Sequence, residues 1–150
     1  MSALRLDKFL PYRLSVASNL SSAVIARAYD RLFAISVPEW RVVALLAETP
    51  RATQQELVTL SRMDKMIVSR AVRALVERRL VARAPDVSDR RAWCLTLTDA
   101  GSALYARVVP EARRLERDLL VDLSAVERMQ LDAMLRKIAD AALRLTRDGN

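Results

Sequence analysis

Met66, Ser69, Arg70 and Arg73 recur at the i, i+3, i+4, i+7 spacing that places side chains on one face of a helix, with Lys65 beside them. Two guanidiniums, an ammonium, a hydroxyl and a flexible thioether suit hydrogen bonding and packing against base edges and phosphates in a DNA major groove. Val68, Ala71, Val72, Leu75 and Val76 form the apolar stripe by which such a helix would dock on its domain. A second basic pair, Arg90-Arg91, stands beside Asp89 in the polar segment from Pro85 to Arg91. An Arg on a hairpin tip can enter a narrow, electronegative minor groove, while a neighbouring carboxylate braces a second Arg. Taken singly, the first set also suits an ordinary solvated face and the second a solubilising turn.

Composition removes most alternatives. The 150 residues contain no His, one Cys and two Gly. A Ser-His or Cys-His nucleophile pair and a His-ligated metal site are therefore excluded, and one thiol is too few for a zinc cluster or an internal disulfide. An enzyme would have to rely on Tyr, Lys and carboxylates, without a glycine-rich phosphate loop. No cofactor is expected. The formal net charge of +7 sits in the middle of the chain: residues 1–50 carry +2, residues 51–93 carry +5, and residues 94–150 are neutral. A polyanionic partner is the natural complement of that distribution.

The longest uncharged stretch, Leu14 to Ala26, has thirteen residues, short of the roughly 18–20 that span a bilayer. Arg5, Asp7, Lys8 and Arg13 interrupt the run that a signal peptide would need. These features predict a cytoplasmic protein without a membrane partner, and the single Cys94 fits a reducing compartment.

The elements that must position the basic residues follow from periodicity and caps. A short amphipathic segment precedes one long helix from about Pro11 to Phe33, and Ser36-Val37-Pro38-Glu39 marks a stop and a new start, with a second helix from Glu39 to Glu48. Thr53-Gln54-Gln55-Glu56 has the form of a capping box and opens a short helix to about Ser61. Asp64 caps a fourth helix running through Arg79. Two β-compatible runs, Leu80 to Ala84 and Ala92 to Thr98, predict a hairpin. A helix from about Asp99 to Leu123 follows, then a last one from the Ser124-Ala125-Val126-Glu127 box to about Thr146.

The expected fold is thus mainly α with a small β-hairpin wing. Residues 38–98 make a winged helix-turn-helix, whose second helix carries the basic face. Residues 1–37 and 99–150 supply an N-terminal helix and two C-terminal helices, and the apolar surface of these flanks predicts dimerisation.

Asp86, Asp89, Arg90, Arg91, Leu95, Leu97, Thr98 and Gly101 fall on the pattern D-x-x-D-R-R-x-x-x-L-x-L-T-x-x-G. This resembles the wing signature of the MarR family of bacterial transcriptional regulators. Gln55-Glu56-Leu57 and the stretch from Val68 to Val81 resemble the same family's helix-turn-helix, so the resemblance covers about Val37 to Gly101 closely and the flanking helices by layout. It implies a homodimer bound to a pseudo-palindromic operator in double-stranded DNA. It also implies that Lys65, Met66, Ser69, Arg70 and Arg73 face the major groove and that Arg90 or Arg91 reaches the minor groove. A small aromatic or phenolic effector, bound between the dimerisation helices and the DNA-binding lobe, would release the operator from a repressor. Tyr12, Arg13, Trp40, Arg41 and Met63 are the candidates for that ligand site, where an Arg could pair a carboxylate while rings cover an apolar body. Trp40 could instead be core, and Arg13 and Arg41 solvated or paired across a dimer.

Two departures stand out. Arg79 occupies the position after the recognition helix where the family usually has Gly, and the only thiol lies in a wing strand instead of the first helix. The same groove-facing residues would also serve an effector-independent architectural DNA-binding dimer.

Overall fold

The computed structural model describes residues 4–89 and 91–148. A 3-10 turn, Leu6–Lys8, precedes α1 (Leu10–Phe33) and α2 (Val37–Glu48). A two-residue strand β1 (Ala52–Thr53) leads into α3 (Gln54–Ser61) and α4 (Lys65–Glu77); then come β2 (Val81–Pro85), β3 (Trp93–Leu97), α5 (Asp99–Leu119) and α6 (Ala125–Asp148). This is the mainly helical, winged helix-turn-helix fold that the sequence predicts. No helix among the described residues is long and apolar enough to cross a membrane.

Caps set the helix starts. Thr53 and Glu56 form the expected capping box, and Ser36 with Glu39 forms another at the start that Pro38 marks in the sequence. At Ser124 the backbone amide donates to Glu127 Oε2 at 2.7 Å, while Glu127 N donates to the Ser124 hydroxyl at 3.2 Å.

The second helix starts at Val37, two residues before the expected Glu39, and three larger departures have identifiable causes. The wing is a three-stranded antiparallel sheet in the order β1-β3-β2, with Ala52 opposite Leu95 and Val81 opposite Leu97. A strand of two residues is too short to show alternation in sequence. The helix expected to reach Leu123 stops at Leu119. There the Arg128 guanidinium donates to the carbonyls of Leu120 and Leu123 at 2.7 and 3.0 Å, satisfying groups that would otherwise continue the ladder. The recognition helix α4 ends at Glu77 instead of Arg79, because Arg79 turns into the left-handed region at φ 57°.

The chain divides into two compact units, Met1–Ala112 and Arg113–Asn150. The division falls within α5, just after Pro110, which cannot donate the i to i−4 bond. The core of the first unit is built from Val42, Val43 and Leu46 of α2, Leu57 of α3, Val68, Val72 and Leu75 of α4, and Val81, Cys94 and Leu95 of the sheet. Cys94 is a free, buried thiol on the central strand. By contrast, α1 buries only Ala28 and Tyr29, leaving Leu10, Leu14, Leu20, Val24 and Leu32 of its apolar stripe exposed. In the second unit Val126, Met129, Met134, Leu135, Ile138 and Leu145 of α6 are likewise exposed.

Candidate nucleic-acid interface

The Asp64 carboxylate accepts from the Met66 amide at 2.7 Å and fixes the start of α4. From there 3.6-residue periodicity does the sorting. Val68, Ala71, Val72 and Leu75 are buried and Val76 is half-buried, so the expected stripe is narrower than five residues. Lys65, Met66, Arg70 and Arg73 are exposed, with Ser69 half-buried at the edge of their face. Four of the five candidates are thus available to a groove. Ile67, which sequence reasoning left out, is 42% exposed and lines with Arg70, Pro38 and Ala74 a cavity of about 330 Å³.

The turn between α3 and α4 depends on Arg62, which caps α3 in the left-handed region at φ 56°. At the other end of α4, Arg79 occupies the same region. Its amide donates to Val76 O and the Leu80 amide to Leu75 O, both at 2.9 Å, which is the pair of bonds of a Schellman motif. The absent glycine therefore leaves the turn intact, with Arg79 taking the conformation usually left to Gly.

In the wing, Asp86 Oδ1 accepts from the Ser88 amide and hydroxyl at 2.7 and 2.6 Å and from the Asp89 amide at 3.2 Å. The Ser88 hydroxyl, then the amides of Ser88 and Asp89, hold the Asp86 carboxyl at about 2, below its ordinary 3.8. Asp89 Oδ1 accepts from the backbone amide of Arg91 at 2.9 Å. Asp86 and Asp89 both accept from backbone amides of the turn, and Arg91 is exposed. Arg90, the other expected minor-groove residue, lies outside the described residues.

The five ligand-site candidates are placed apart from one another in character. Tyr12 and Arg13 are exposed on α1, Arg41 is exposed on α2, and Met63 is half-buried between α3 and α4. Trp40 is half-buried, stacked on Tyr105 with ring centroids at 5.6 Å and edge-on to Tyr29 at 5.7 Å. Burial, with Glu111 nearby, raises the Tyr29 phenol above its ordinary value. Tyr105 lines a cavity of about 370 Å³ with Leu46, Ala47, Pro50, Leu97 and Ser102, of which the sequence singles out Leu97 alone, as part of the wing signature.

The MarR family model matches residues 35–93, the stretch that carries the capped helix-turn-helix and most of the wing. The chain is 33% identical over 90 residues to the HTH-type transcriptional repressor NicR of Pseudomonas putida, a match covering 60% of this chain and 57% of NicR. It is 31% identical over 123 residues to the HTH-type transcriptional regulator PecS of Dickeya dadantii, covering 78% of this chain and 74% of PecS. Its structure is similar to that of the PcaV transcriptional regulator from Streptomyces coelicolor in complex with its natural ligand, with a TM-score of 0.78, 26% identity, and coverage of 95% of this chain and 99% of that one. With the wing signature, the winged helix-turn-helix fold and these similarities in hand, the chain belongs to the MarR family of DNA-binding transcriptional regulators.

Proposed function

We propose that this chain is a repressor that binds a pseudo-palindromic DNA operator as a homodimer and is released by a small aromatic or phenolic effector. Residues 38–98 serve as the DNA-binding domain, and residues 1–37 and 99–150 as the dimerisation helices. Lys65, Met66, Ser69, Arg70 and Arg73 read the major groove, while Arg90 or Arg91 enters the minor groove. The observation that carries the reading is the two-sidedness of α4, where exposed cations and Met66 stand opposite the buried Val68, Ala71, Val72 and Leu75. A buried docking face holds the helix rigidly enough for base readout. NicR is named a repressor and PcaV was solved with its natural ligand, which support repression and effector control in this chain. The exposed leucines of α1 and the exposed apolar residues of α6 support a second copy as cover, since a monomer seldom leaves that much apolar surface in water.

The test is selection of binding sites from random and genomic DNA by the full-length protein, followed by footprinting. A two-fold symmetric site with half-sites about one helical turn apart is expected. Recovery of no preferred sequence would refute operator recognition.

A further inference from the structure

Six residues of α4 are exposed: Lys65, Met66, Ile67, Arg70, Arg73 and Glu77. Four of them are charged. The two apolar ones are adjacent and lie in the first turn, with Met66 59% and Ile67 42% exposed. At about 3.6 residues per turn, Met66 falls opposite the middle of the stripe that Val68, Ala71, Val72 and Leu75 bury, between Arg70 and Arg73 in projection. Ile67 stands at the edge of that face, where Pro38 of α2 and Ala74 line the cavity of about 330 Å³ with it. A β-branched side chain in a helix keeps largely to one χ1 rotamer, so Ile67 presents a fixed shape. The unbranched thioether of Met66 adapts to what it meets.

The turn that carries this pair is a poor seat for a phosphate. Asp64 Oδ1 already accepts from the Met66 amide at 2.7 Å, and the Asp64 carbonyl accepts from the Val68 amide at 3.0 Å. The Asp64 carboxylate thus puts negative charge where a helix start would otherwise attract an anion. What the first turn offers to DNA is its side chains, and the N-terminal residues of a recognition helix are those that reach base edges. Among the groups that bases present in the major groove, the C5-methyl of thymine is the apolar one. A base nitrogen or oxygen pressed against a thioether and a branched alkyl group would lose hydration without gaining a hydrogen bond. A methyl loses nothing there.

Resting on the operator-binding reading above, we propose that Met66 and Ile67 read a thymine methyl, enclosing the C5-methyl of one thymine in each half-site. Met66 meets the methyl at the centre of the exposed face and Ile67 closes its edge. Arg70 and Arg73, on either side of Met66, supply the polar contacts around it. Ile67 thereby joins the interface, and Met66 acquires a particular atom to contact.

The test replaces thymine by uracil, one position at a time, in a DNA site selected by the full-length wild type. The exchange keeps the base pair and the O4 acceptor and removes only the methyl. Fluorescence anisotropy gives the Kd for each site. One thymine in each half-site is expected at which uracil weakens wild-type binding about fourfold, the factor that burying one carbon of apolar surface supplies. The double variant Met66→Ala/Ile67→Ala places the best helix former at two exposed positions, and its ratio of Kd on uracil to Kd on thymine should fall to about one. An effect of uracil on DNA shape would persist in that variant, whereas a lost contact would not. Should the variant misfold, 5-hydroxymethyluracil at the same position decides the matter on the wild type: it fills the place of the methyl with a polar group and is expected to bind no better than uracil. The proposal is overturned if no single exchange weakens wild-type binding, if the ratio is the same in the double variant as in the wild type, or if 5-hydroxymethyluracil binds as tightly as thymine. Selection of no site by the wild type overturns operator recognition and the methyl reader with it, whereas a selected site indifferent to the exchange overturns the methyl reader alone.

Discussion

The Arg78 guanidinium donates to the Ala34 carbonyl at 2.7 Å, tying the C-terminal end of the recognition helix to the corner between α1 and α2. The Glu39 carboxylate, already engaged in the cap of α2, lies 3.9 Å away. Because the Arg78 side chain is 38% exposed, water screens the pair and the bond to Ala34 is the larger contributor. Arg78→Met should cost about 1 kcal/mol, seen as a lower midpoint in urea with an unchanged slope. An unaltered midpoint would mean that the contact adds nothing to stability.

Arg79 is strained where a glycine would not be. An L-residue in the left-handed region costs roughly 1–2 kcal/mol, partly offset by the greater freedom that Gly loses on folding. Arg79→Gly should therefore stabilise the fold by up to about 1 kcal/mol, read as a rise in Tm. A fall would show that the Arg79 side chain makes a contribution larger than its backbone strain.

On the recognition helix, Arg70→Ala and Arg73→Ala should weaken DNA binding without unfolding the protein, since both side chains are exposed. Loss of a base contact costs about 1–3 kcal/mol and relaxes preference at one position, whereas loss of a phosphate contact lowers the salt slope by about one. Titrations at several salt concentrations separate the two. Binding unchanged in both variants would remove this face from the interface.

The depressed Asp86 carboxyl makes wing stability dependent on acid. Its folded value of about 2 lies below the ordinary 3.8, so the stabilisation is present above about 4 and is lost as pH falls through about 2. Asp86→Asn should lower Tm at neutral pH, and the gap from wild type should close over that acid window. A gap that stays constant with pH would assign the loss to packing instead of charge.

The exposed apolar residues of α6 give a prediction about assembly. Deleting residues 124–150 should leave a chain that is insoluble or monomeric with little DNA affinity. Sedimentation of the full-length protein is expected to show a dimer at micromolar concentration, and a stable monomer there would contradict the homodimer.

Much of this architecture was legible in the sequence because it rests on short-range signals. The Thr53, Asp64 and Ser124 caps announce three helix starts, and the spacing of Val68, Ala71, Val72 and Leu75 defines the buried side of α4. What escaped the reading depends on distant partners. β1 exists through pairing with Leu95 and Cys94, more than forty residues away. Where α5 ends is settled by Arg128 reaching back to Leu120 and Leu123, and no local breaker marks the spot. Thr98 and Gly101 were visible as a motif, but not that the Thr98 hydroxyl accepts from the Gly101 amide and donates to the Arg79 carbonyl, nineteen residues back in the chain. Trp40 stacks on Tyr105, so its use in a ligand site depends on a residue of α5 that its own neighbourhood does not reveal.

The burial of Cys94 turns the wing into its own clock. The thiol is 4% exposed, lies on a strand paired on both sides, and has no other cysteine in the chain to confuse its signal. A thiol reagent can reach it only when the sheet opens, so under fast reclosing the labelling rate is the intrinsic thiolate rate scaled by the fraction of time spent open. A chromogenic disulfide added to the unmodified protein would thus report the free energy of local opening of the wing. Comparing that value with the global unfolding free energy tells whether the hairpin breathes independently of the helices beneath it.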